Sequence, residues 1–203
     1  MLFLDSGQPI KTCVSENCDG CAVHKSLHCH FKPIDLIHFL FISIPAFLLG
    51  GAGVYHVSGW LLLLWICMII GFFAFLEIRV MCSHCPHYAE PGNTLQCWAN
   101  YGAPKVWEYR PGPMSFMEKL AFFAGLSVIM GYPLICMLKS MQGFLLIVYI
   151  MSSVGFFMTL KMFLCSQCIN FACPLNGVIE SVKHAFFERN PEVAEAWGED
   201  GKR

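Results

Sequence analysis

Four long apolar runs dominate the chain, at about residues 36–57, 60–80, 117–138 and 144–164. Each has about twenty residues, enough at ~1.5 Å per residue to cross a hydrocarbon layer ~30 Å thick. Four such runs in 203 residues argue against a soluble bundle. Pro45, Gly50, Gly51, Gly53 and Pro133 fall inside them. Neighbouring helices can satisfy the backbone groups that these residues free. Gly50-Gly51-Ala52-Gly53 also lets another helix approach closely at that depth.

The runs pair into two hairpins, joined by Val57-Ser58-Gly59 and by residues 139–143. Parity then puts residues 1–35, 81–116 and 165–203 on one side of the membrane, with hairpins 36–80 and 117–164 between them. All the Lys and Arg residues except Lys139 lie on that side. The positive-inside rule makes that side the cytosol, with both termini in it.

The second run carries Gly71-Phe72-Phe73 followed by Cys82-Ser83-His84-Cys85. The fourth carries Gly155-Phe156-Phe157 followed by Cys165-Ser166-Gln167-Cys168. The shared ending reads as a duplication. The expected fold is an all-α integral membrane protein of two parallel-repeat helical hairpins, its pseudo-axis along the membrane normal. Glu77 and Lys161 become equivalent positions in that alignment. Charges at such depth are costly, so the two either pair across the axis or reach separately for the interface beside Arg79.

Composition narrows the function. Only 13% of residues are charged and the net charge is −1, which lacks the basic footprint of a nucleic-acid partner. Residues 1–10 hold no apolar run, so a cleaved signal peptide is not expected.

Of 12 cysteines, Cys67 and Cys136 lie within spans and read as small packing residues, which leaves ten on the cytosolic side. Cys13, Cys18, Cys21 and Cys29 form an N-terminal group that can close a site unaided. Cys82, Cys85 and Cys97 form a central group, and Cys165, Cys168 and Cys173 a C-terminal one. Cytosolic thiols stay reduced, so disulfides are the wrong first expectation. Cysteines two apart present both sulfurs to one side of a turn, and two such pairs supply the four thiolates of a zinc site or an iron–sulfur cluster.

A pseudo-twofold bundle would bring Cys82, Cys85, Cys165 and Cys168 together. Alternatively each half closes its own site, with Cys97 or Cys173 as third ligand and His84 or His87 as fourth. An iron–sulfur cluster is the leading expectation. Structural zinc in a non-redox scaffold is the rival, and thiol–disulfide exchange by CxxC pairs is third. The expected role is electron transfer at the cytosolic membrane face. The expected partners are the bilayer, a cytosolic redox protein and, as an open option, a second copy of the chain.

His38 and His56 point the same way from opposite ends of the first span, but spans two to four offer no histidine to complete a haem pair. His24, His28 and His30 sit among the N-terminal cysteines. Pro86, Pro91, Pro104, Pro111 and Pro113 forbid a long central helix, and Trp98, Tyr101, Trp107 and Tyr109 suit the headgroup layer. Residues 176–190 carry Val178, Ile179, Val182 and Phe186 along one face, as expected of a helix lying on the membrane.

Overall fold

The computed structural model describes residues 7–198. Four helices long and apolar enough to cross a membrane run over Pro33–Tyr55, Gly59–His84, Phe116–Lys139 and Gly143–Gln167. Between 17% and 28% of each apolar stretch is buried within the chain. The remainder, including Phe41, Trp60, Phe116 and Phe144, faces outward and needs a lipid surround. Among the described residues the β structure is limited to one bridge, between Thr94 and Pro104.

Helix α1 (Pro33–Tyr55) opens with proline in its first turn and Asp35 beside it, both suited to a helix N-terminus. Helix α2 covers Gly59–Gly71, and a short α3 (Glu77–Val80) follows it. Helix α4 (Phe116–Lys139) starts on a capping box: Glu118 N–H donates to Ser115 Oγ at 3.3 Å, and Ser115 N–H to Glu118 Oε2 at 2.9 Å. Helix α5 covers Gly143–Thr159. Short helices α6 (Glu180–Phe187) and α7 (Pro191–Ala196) complete the tail.

Spans two and four do not stop near residues 80 and 164 as hydropathy suggests. Each passes through a π-helical turn, Phe72–Leu76 and Leu160–Leu164, and runs on into the first cysteine pair. Glu77 N–H bonds Phe72 O and Cys165 N–H bonds Leu160 O, both five residues back. A π turn adds one residue and rotates everything after it relative to a plain α-helix.

That rotation separates two positions that the sequence alignment equates. Glu77 follows its π turn and is buried, whereas Lys161 lies within its own and is exposed. No ion pair joins them among the described residues; Glu77 meets Asn100, and Arg79 lies 3.8 Å from Glu118.

Helix α1 packs on α2, α4 and α5, and α4 packs on α2 and α5 as well. At Gly50 an added Cβ would lie 3.1 Å from the rings of both Trp65 and Tyr149, and at Gly53 it would run into Met137. The glycine-rich stretch therefore serves packing inside the bundle. Pro133 has no N–H, which leaves the Ile129 carbonyl without its helical donor. Trp65 Nε1–H fills that place at 2.9 Å, and Tyr149 O–H donates to the next carbonyl, Met130, also at 2.9 Å. Trp65, Pro133 and Tyr149 thus seal the bundle on the side away from the cysteine turns.

Candidate functional site

Below that seal the four helices surround a cavity. Its floor carries Cys82, Cys85, Cys97, Cys165, Cys168 and Cys173. The central and C-terminal groups therefore face one common space.

Local backbone places these sulfurs. Cys82 and Cys165 each begin a 3₁₀ turn, and Cys85 and Cys168 leave it in extended conformation (φ −79°, ψ 137° and φ −82°, ψ 128°). Pro86 enforces that conformation on Cys85. The turns are tied together by Asn170, whose side chain donates to Met81 O at 3.3 Å. Arg110 clamps the first turn through its Nη2, which donates to Arg79 O at 2.7 Å and meets Glu118 Oε1 at 2.8 Å.

N–H groups converge on the sulfurs. The backbone amide of the second residue on favours the thiolate of Cys85 (His87), Cys97 (Ala99), Cys168 (Asn170) and Cys173 (Leu175). Asn100 N–H donates to Cys97 Sγ at 3.3 Å, and its side-chain amide donates to Cys82 Sγ at 3.3 Å and Glu77 Oε1 at 3.4 Å. Asn176 N–H instead donates to the Cys173 carbonyl at 3.0 Å, and the Trp98 indole favours the Cys168 thiolate.

All twelve cysteines are free thiols. Burial pushes Cys168 and Cys173 up to about 12 and also raises Cys85 and Cys97, so these thiols hold their protons. An apolar space that opposes thiolate is at the same time ringed by donors that favour it.

The N-terminal group lines a second cavity, which Cys13, Cys18, Cys21 and Cys29 share with His24 and His30. Cys21 N–H bonds Cys18 O at 3.2 Å across a tight turn whose third residue, Gly20, has φ +71°, a conformation that favours glycine. Cys29 is pushed up to about 12 by burial and then by the neighbouring Cys21, Cys18 and Cys13.

The tail closes this cavity rather than lying flat on a membrane. Phe186 is 1% exposed, Val14 N–H bonds Arg189 O at 2.9 Å, and Thr12 Oγ1 donates to Asn190 Oδ1 at 2.8 Å. Its regular helix spans only Glu180–Phe187, and Ile179 points outward. Cys85 packs in the same apolar cluster as Cys13, Cys21 and Cys29, so the two thiol sites are neighbours.

Other sequence expectations are corrected. Trp98 is buried against the sulfurs instead of sitting among headgroups, while Tyr101 and Trp107 remain exposed. Cys67 is exposed on the bundle's outer face, and of the two intramembrane cysteines Cys136 alone is a packing residue. His84 is buried 3.5 Å from Glu118 and donates its Nδ1–H to Gly112 O at 3.1 Å, away from the cavity, whereas His87 lines it. His38 and His56 are exposed.

Sequence reasoning missed Asn100, Asn176 and Asn170. A signal was present: Cys97-Trp98-Ala99-Asn100 and Cys173-Pro174-Leu175-Asn176 share a C-x₂-N spacing.

Among the described residues no three His, Cys, Asp or Glu side chains converge closely enough to hold a single metal ion. The thiols stand around spaces rather than around points. Comparison with family models, with curated proteins and with solved structures finds no match for this chain.

Proposed function

We propose that the chain is a membrane-anchored metal–thiolate protein that transfers electrons at the cytosolic face, with iron–sulfur clusters as its redox groups. One observation carries the reading: six thiols line one cavity, and at four of them, Cys85, Cys97, Cys168 and Cys173, the backbone amide two residues on favours the thiolate. Such donors stabilise negative sulfur and tune the potential of a bound cluster. Buried, protonated thiols give up their protons when a metal cation binds, whose charge offsets the burial.

Four thiolates on one zinc ion each lie ~2.3 Å from it and so nearly touch. The four thiolates of a cubane cluster sit on different irons and stand further apart around a void. A cavity lined by six cysteines, and a second lined by four, supply enough thiolates for a cluster in each. Burial and a raised pKa also oppose thiol–disulfide exchange, which needs an accessible thiolate.

The shared floor fits a duplicated hairpin around one centre, with the N-terminal site beside it as the entry point for electrons from a cytosolic donor. Anaerobic purification followed by iron, sulfide and zinc analysis, with electron paramagnetic resonance of the reduced protein, tests this. Iron and sulfide in equal amounts with a signal on reduction are expected. Zinc alone, with no absorbance near ~400 nm, refutes it.

A further inference from the structure

The thiols use only the floor of the large cavity. Above them its walls are aromatic, with Phe39 and Phe47 from α1, Phe72 from the first π turn, Phe122 and Met130 from α4, and Phe156 from α5. Phe39 and Phe47 lie eight residues apart on one helix, so the chamber extends about 12 Å into the membrane above the sulfurs. Trp65 and Tyr149 close its far end through their bonds to the α4 backbone.

Among the polar side chains that also line the cavity, Glu77, His87, Asn100, Asn170 and Asn176, Glu77 is the one acidic group. Glu77 is 6% exposed and borders the cavity. Its Oε1 accepts from Asn100, while its buried Oε2 has no hydrogen-bond partner among the described residues. A buried carboxylate oxygen left without a donor costs about 1–3 kcal/mol or more, and such a group inside a membrane marks function by default. A lipid acyl chain would fill the space but brings no donor. A ligand that suits these walls and this carboxylate is flat, apolar enough to partition into the bilayer, and equipped with a hydroxyl.

We infer that the chamber binds a lipid-soluble quinol, its ring among the phenyl groups and one hydroxyl donating to Glu77 Oε2. This rests on reading the thiols below as a redox centre, which is what favours a quinol over other hydroxylated lipids.

The test uses the full chain in phosphatidylcholine nanodiscs and an azido-substituted ubiquinol as photolabel, with the label mapped by peptide mass. Label is expected on the segments carrying Phe39–Phe47 and Phe156–Leu160, competed by decylubiquinol and not by cholesterol or added phospholipid. Leu126→Trp, which fills the chamber, and Glu77→Leu, which removes the acceptor, should each weaken competition by about tenfold or more, and Glu77→Gln, which keeps an acceptor oxygen, by much less.

Iron content and far-ultraviolet circular dichroism are measured on every variant. Folded, iron-bearing protein that takes no label, or label competed equally by cholesterol, overturns the quinol site while leaving the thiolate reading intact. Specific labelling of a protein that takes up no iron sustains the site and overturns the thiolate reading.

Discussion

Replacing Trp65 by phenylalanine removes the donor that serves the carbonyl freed by Pro133, and the magnitude can be worked out. Trp65 is 3% and Ile129 1% exposed, and the bond between them is 2.9 Å long. Stranding a buried carbonyl costs about 1–3 kcal/mol. Interhelical hydrogen bonds in membranes average about 0.6 kcal/mol and reach about 1.7. Together these bracket a coupling of about 1 kcal/mol, to which the smaller ring adds a packing loss.

A double-mutant cycle with Pro133→Ala separates the two terms. Alanine restores the N–H at position 133, which serves the Ile129 carbonyl from within α4, whereas the packing loss is the same in both backgrounds. Trp65→Phe should therefore cost about 2 kcal/mol in the parent and about 1 kcal/mol beside Pro133→Ala. Unfolding in mixed micelles of rising sodium dodecyl sulfate content, followed by circular dichroism, measures both. A coupling within about 0.3 kcal/mol of zero would refute the pairing of this proline with this tryptophan.

Cys29→Ser should remove iron from the N-terminal site alone and Cys173→Ser from the central site alone, with the double variant losing the sum; metal analysis reads each. Asn100→Ala removes the side-chain donor to Cys82 and leaves the backbone donor to Cys97. Metal should stay while the midpoint potential falls by about 40 mV, for about 1 kcal/mol lost from the reduced state; an unchanged potentiometric titration would count against Asn100 as a tuning group.

His87 is depressed to about 4, chiefly by burial, with the His28 backbone acting the other way. The unfolded chain therefore takes this proton first, near pH 6.5. The contribution is complete above pH 6.5 and is lost as pH falls toward 4, about 3 kcal/mol in all. His87→Gln should flatten the acid limb of the stability curve between those limits, and an unaltered limb would contradict a neutral buried imidazole.

How much was legible in advance differs between the membrane and the site. Hydropathy is a local property, so the four spans and their short connections could be read directly from the chain. Parity followed, and with it the gathering of ten cysteines at one end of the bundle. Two features were beyond local reading. The π turns move the helix register by one residue, which turns Glu77 inward and Lys161 outward although the sequence aligns them. No residue pattern announces a π turn, because it is set by packing on neighbouring helices.

The second feature is long-range closure. Asn190 reaches Thr12 across 178 positions, so the tail covers the N-terminal thiols instead of a membrane surface. Trp98 and Asn100 come from an irregular segment whose path is fixed by Arg110, Asn170 and the cysteine turns. The sequence by itself determined which residues enter the bilayer and which end of the bundle bears the thiols. Only the tertiary structure decided that six sulfurs share one cavity, that N–H groups face most of them, and that an aromatic chamber with a buried carboxylate lies above. Those depend on contacts between segments far apart in the chain, whose loop-closure entropy is met only when the whole bundle has formed.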